Sequence, residues 1–232
     1  MPSNCFIHLV VALSTVHVIH GYVHGVRYTV TNNASGSAGG SIFDSRVGAP
    51  YTKQAMSRAT RFIWKTFRQQ NDDTQRKHVT NIDFFLDFME DGIAYSSDND
   101  IHLSASYLGT ATSAPPRVLV ASEIYHEMTH VWQWNGGGKA PSGLIEGIAD
   151  FVRKKAGYES PSGPIRLGEG DKWDQGYGVT AGFLGYCDGL KRGFVGKLNK
   201  KMRVGYSETY FQDLLGKDVD GLWSDYKAKY QS

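Results

Sequence analysis

The sequence predicts an α+β protein, with an N-terminal half of mixed strands and helices and a mainly helical C-terminal half. Three observations carry this. Segments rich in β-branched, Phe, Ile or Leu residues at 26–31, 79–88, 93–95 and 101–106 all fall in the first half. Helical spacing of apolar residues dominates afterwards, through 117–134, 142–155, 177–190, 194–202 and 208–229. Neither a repeat period nor a disulfide framework competes, since the chain holds only two cysteines.

Taken in order, residues 5–19 form an apolar run at the extreme N-terminus, and no Lys, Arg, Asp or Glu precedes Arg27. This reads as a secretory signal spanning 1–25, cleaved after Gly25; a buried N-terminal strand or helix is the competing reading. Cleavage removes Cys5 and four histidines (His8, His17, His20, His24), leaving Cys187 alone and His78, His102, His126 and His130. The expected mature chain, 26–232, is a single domain with an α+β lobe over 26–138 and a helical lobe over 139–232.

Within it, residues 26–31 alternate as a strand and run into a Gly/Ser-rich loop to Ser41. Pro50 precedes an amphipathic helix over 51–69, with Ala55, Ala59, Phe62, Ile63 and Phe67 at helical spacing. A strand follows over 79–88, then two shorter ones flanking the turn Ser97-Asp98-Asn99-Asp100. Pro115-Pro116 opens the next helix and the Asn135–Gly138 glycine run ends it. Pro141 and Gly157 bound another, and a Gly/Pro-rich loop to Gly176 precedes the third.

Composition narrows the function. The chain is 232 residues, 41% hydrophobic and 12% aromatic, which is ample for a packed core. A net charge of +2 is too weak to argue for nucleic acid. Polar residues interrupt every apolar stretch before it is long enough to span a membrane.

The chemistry lies in His126-Glu127-Met128-Thr129-His130. Helical residues four apart share one face, so both imidazoles can reach one metal ion, while Glu127 sits about 100° round the helix, placed to act as general base on a water. Catalytic zinc takes a third protein ligand and keeps one position open. The next helix offers Glu146 and Asp150, four apart amid Leu144, Ile145, Ile148, Ala149 and Val152. Glu146 as ligand, with Asp150 accepting the outer ring N–H of a ligand histidine, would satisfy both carboxylates. The alternative is a solvated face paired with Arg153 or Lys154. Tyr177 is the first choice as oxyanion donor and Tyr186 the second, with plain packing the competing role for each. Residues 101–106 are the expected substrate-binding strand edge. His102, Trp132, Trp134 and Cys187 are read as structural, and Lys139 and the basic residues after position 150 as solvated.

The pair HEMTH and GLIEGIAD resembles the gluzincin metallopeptidases. More closely, YTVTNNA, YHEMTHVWQWNG, GLIEGIADFVR, WDQGYGVTAGFLGYC and LWSDYKAKY resemble the plant basic secretory protein family across the chain from Val26 onward. That resemblance implies a zincin-like fold and a secreted zinc peptidase associated with plant defence in the apoplast. It also implies zinc on His126, His130 and Glu146, with Glu127 catalytic. Gly182 and Gly185 depart from the family pattern, which expects larger, polar residues there. Each glycine would cost its helix roughly 1 kcal/mol against alanine. The expected partner is a peptide or protein substrate, with no nucleic acid, no membrane span and a monomeric state. The rival reading is a catalytically silent secreted defence module that retains a structural zinc site. A zinc hydrolase acting on something other than peptides is a third.

Overall fold

The computed structural model describes residues 22–23 and 25–230 of the chain. The expected leader over 1–25 lies outside the described residues, apart from Tyr22, Val23 and Gly25. Tyr22–Val23 (β1) lies antiparallel to Val26–Asn32 (β2). Ala38–Ile42 (α1) then runs through a π turn, Phe43–Val47, into Gly48–Thr66 (α2). Asn81–Asp87 (β3), Ala94–Ser97 (β4) and Asp100–Ser104 (β5) complete the strands. The remaining elements are helices: Ala105–Thr110 (α3), Pro116–Trp132 (α4), Ser142–Lys155 (α5), Tyr177–Leu190 (α6), Phe194–Lys201 (α7), Thr209–Leu215 (α8) and Val219–Tyr230 (α9).

The strands form one mixed sheet in the order β1-β2-β3-β5-β4. β2, β3 and β5 are parallel, while β1 and β4 run antiparallel at the two edges. Strand periodicity sets the buried face. Ile82, Phe84 and Leu86 of β3 are buried, and their partners Tyr28, Ile101 and Leu103 carry the same side inward. α2 and α4 pack on each other, α2 against β2 and α4 against β4. α4 is consequently buried nearly all round, from Leu119 to Trp132 with His130 the exception. Polar residues on such a helix need a specific partner or a cleft.

Three expectations are corrected here. The expected loop running to Ser41 is helical from Ala38, because the small Gly39 lets α1 lie directly on α3; a Cβ there would stand 1.9 Å from the Ala105 carbonyl oxygen. Residues 101–106 are not the sheet edge, since β5 is flanked by β3 and β4. Pairing on both sides of a strand is invisible to its own periodicity, and β4 takes the edge. The tail helix expected over 208–229 is broken at Gly216, which caps α8 with φ 80°.

The two unusual glycines of α6 separate. A Cβ at Gly182 would stand 2.6 Å from the Tyr226 hydroxyl, which is fully buried and pinned by the Gly168 N–H at 2.9 Å. Gly185 faces open space. Gly185→Ala is therefore expected to stabilise the protein by about 0.5–1 kcal/mol through helix propensity. Gly182→Ala should destabilise it by about 1–3 kcal/mol through overpacking. Denaturant melts of the two variants check this, and equal shifts of the same sign would refute it.

Candidate active site

α4 carries His126 and His130 on one face. The chain then reverses through Gly136, Gly137 and Gly138, three consecutive left-handed residues that only glycine adopts without strain. The reversal lays α5 across α4 and points Glu146 at the two imidazoles. Nε2 of His126 stands 3.2 Å from Nε2 of His130 and 3.2 Å from Oε2 of Glu146, and the third separation is 3.5 Å. Metal–ligand bonds of about 2.0–2.2 Å in a tetrahedron place ligand atoms about 3.3–3.6 Å apart. The three atoms thus have the spacing and chemistry to hold a zinc-sized ion, two imidazoles and one carboxylate on one side of a cleft.

The atoms behind them are equally ordered. His126 Nδ1 lies 2.7 Å from Asp150 Oδ1, with both side chains buried. Arg153 donates to the same Asp150 oxygen, to Glu123 Oε2 at 3.2 Å and to Ser160 Oγ at 3.1 Å. His130 Nδ1 is met at 2.8 Å by the Gln133 side-chain amide, which also donates to the Ile145 carbonyl at 3.2 Å. Both imidazoles are thereby held with Nε2 facing the shared point.

Electrostatics follow from this packing. Burial alone would lower His126, but Asp150 and Glu146 outweigh it and raise the imidazole to about 9. Burial would raise Glu146, yet the hydrogen bonds to His126 and His130 hold it well below the usual carboxylate range. Glu123 is pushed up to about 7 by burial, which Arg153 offsets only in part. Burial lowers the Lys77 ammonium, and among the described residues no carboxylate lies within ion-pair range of it.

The cleft has a volume of about 670 Å³. Its walls include Glu127, the three converging residues, Tyr177, Lys77 and the stretch Gly92–Ser96 that contains most of β4. Glu127 is 4% exposed and lines the cleft one residue round the helix from His126. Tyr177 starts α6, and its ring lies parallel to that of His126 at 6.2 Å. It is held there by close packing of α5 on α6, where Gly147 abuts Thr180. Thr180 Oγ1 accepts from the Gly176 N–H at 2.8 Å and donates to the Trp173 carbonyl at 2.7 Å. Tyr177 pays for its place with φ 41°, an uncommon conformation for a non-glycine residue.

A family model described as a peptidase of plants and bacteria matches residues 23–226. The chain belongs to that family. A basic secretory protease from Boswellia serrata is 41% identical over 59 residues, which make up 25% of this chain and 67% of that protein. No solved structure gives a significant match.

For this peptidase the sequence-predicted residues divide cleanly. His126, Glu127, His130, Glu146, Asp150 and Tyr177 meet around one cleft. Tyr186 does not line it; its ring packs on Tyr226 at 5.7 Å. His102 is paired with Asp87 at 2.5 Å and stacked between Phe85 and Tyr95. Trp132 is core, edge-on to Trp64, and Cys187 is buried with its thiol pushed up by burial. Arg153, expected on a solvated face, is 3% exposed and bridges Asp150 to Glu123. Glu123, Gln133 and Lys77 escaped the sequence reading. For Glu123 and Arg153 the signal was present: charged residues set among apolar ones on helical faces must pair when buried. Among the described residues, no helix is long and apolar enough to cross a membrane.

Proposed function

We propose that the chain is a secreted, zinc-dependent peptidase with one zincin-like catalytic domain over 26–232, released from a leader at 1–25 and acting as a monomer in plant defence. The observation that supports this best is the mutual spacing of His126 Nε2, His130 Nε2 and Glu146 Oε2 beside the cleft, which suits three ligands of one zinc-sized ion. The family's description as peptidases and the relative's name as a secretory protease support the reaction and the compartment.

Zinc held by these residues supplies Lewis acidity toward a carbonyl oxygen and acidifies a water molecule. The protein's own side chains do the rest. Glu127 takes the proton from the attacking water and returns it to the leaving amine. The Tyr177 hydroxyl donates a hydrogen bond to the oxyanion as it forms, from a ring held over His126. Asp150, kept in place by Arg153, fixes the His126 ring so that Nε2 faces inward. The Gln133 side-chain amide holds the His130 ring at Nδ1, its otherwise unpartnered oxygen being the group to accept the Nδ1–H when Nε2 holds the metal. The free edge of β4 pairs with an extended substrate, presenting the scissile bond to this point.

Stripping the metal tests the reading. Purified mature protein treated with EDTA and then desalted is expected to stop hydrolysing denatured casein, and to recover on addition of one equivalent of zinc. Undiminished hydrolysis by the metal-free protein would sink it.

A further inference from the structure

We propose that Lys77 makes one end of the active-site cleft a carboxylate subsite, so that this peptidase prefers peptides bearing an acidic group two or three residues from the scissile bond. The inference rests on the peptidase reading above and adds a substrate class to it. α4 serves as a ruler: Glu123 and His130 are seven residues apart, or about 10 Å along the helix. At the Glu123 end the cleft is closed by the ion pair with Arg153, itself held by Asp150 and Ser160. At the His130 end the wall is made by Lys77, Gln133 and Asn135.

Lys77 is half-buried there. Its Nζ donates to the His130 carbonyl at 3.3 Å and sits 6.0 Å from the Trp134 ring centre. That carbonyl belongs to the last turn of α4 and lacks a helical partner, so one ammonium proton caps the helix. An ammonium has three donors, and no carboxylate among the described residues pairs with it. By contrast, the cleft carboxylates Glu123 and Glu146 are each held by a cationic or ring-nitrogen partner, and the third, Glu127, stands beside His126 rather than at the Lys77 end. The charge left open at this end is therefore positive. Because His130 is one of the three converging residues, Nζ lies within about 10 Å of their shared point. Two or three residues of extended peptide, at about 3.3 Å each, cover that distance. The anion recognised is a carboxylate, from an Asp or Glu side chain or from the peptide's C-terminus.

The test uses peptides in which a single Asp, or its neutral counterpart Asn, is walked across the cleaved bond, each made with a free and an amidated C-terminus. Wild type is expected to favour Asp at one position, or the free acid, by about tenfold in kcat/KM, as for a hydrogen bond to a charged group. Lys77→Met should erase that ratio while leaving the Asn-amide peptides nearly unchanged, and Lys77→Arg should retain it. Loss of the helix cap alone would slow all peptides equally and appear in the thermal melt, leaving the ratio intact. The four peptide forms separate the side-chain source from the terminal one. Calorimetric binding of the same peptides is read in parallel. If no peptide is cleaved, the peptidase reading fails, and a binding preference abolished by Lys77→Met still upholds the subsite. No preference in wild type, or the same preference in Lys77→Met, would overturn it.

Discussion

Glu127→Gln is expected to lower kcat by about 10³-fold with zinc content unchanged. Glutamine matches glutamate in shape and keeps one acceptor oxygen, so the cleft wall around position 127 is preserved. It cannot take a proton from water, which is the role the proposal gives Glu127. The residue is 4% exposed yet is not one of the three atoms that converge on the metal point. The substitution therefore separates proton transfer from metal holding. Elemental analysis beside steady-state hydrolysis reads both quantities. Activity within a few-fold of wild type in the zinc-loaded variant would remove Glu127 from the mechanism and direct attention to another base.

Removing the imidazoles should act at the other end of the same argument. The His126→Ala, His130→Ala double variant is expected to carry no zinc, where wild type carries about one per chain, and to show no hydrolysis. The pH dependence of zinc binding follows from His126. Its imidazole is raised to about 9 in the metal-free protein, mainly by Asp150 and Glu146 against the opposing effect of burial. A raised folded value means the proton stabilises the metal-free fold. That contribution is complete below about 6.5 and is lost as pH climbs through about 9. Zinc needs the neutral ring, so it must displace this proton. Affinity should rise about tenfold per pH unit between pH 7 and 9 and flatten above, with close to one proton released per ion from His126. Titration in two buffers of different ionisation enthalpy counts that proton. A pH-independent affinity would show that zinc displaces no raised proton from His126.

The legible parts of this protein were the local ones. Pro116 at the first turn of α4, the glycine run after it and Gly157 after α5 bounded the helices to within one or two residues. Helix geometry alone put His126 and His130 on one face, because a 3.6-residue period leaves no other arrangement for residues four apart. The spacing of Glu146 and Asp150 was likewise local, and the need to neutralise carboxylates among apolar neighbours pointed to what they meet. The helix at 38–42 was hidden because its glycines, poor helix formers by themselves, are there to let α1 approach α3.

What the sequence by itself determined, then, was the longer helices such as α2, α4, α5 and α6, most of their bounds and which residues share their faces, since these depend on hydrogen bonds and sterics within a few residues. Only the tertiary structure decided which faces meet. It brought Glu146 to 3.2 Å from His126, buried Arg153 between Asp150 and Glu123, and turned Lys77 into the cleft. It also set β4 outside β5, and held Tyr177 over His126 at an unfavourable φ through the contact of Gly147 with Thr180. Each of these is a pairing across long stretches of chain. Such pairings are chosen by the burial of the whole apolar surface at once, and no local window of residues contains that competition.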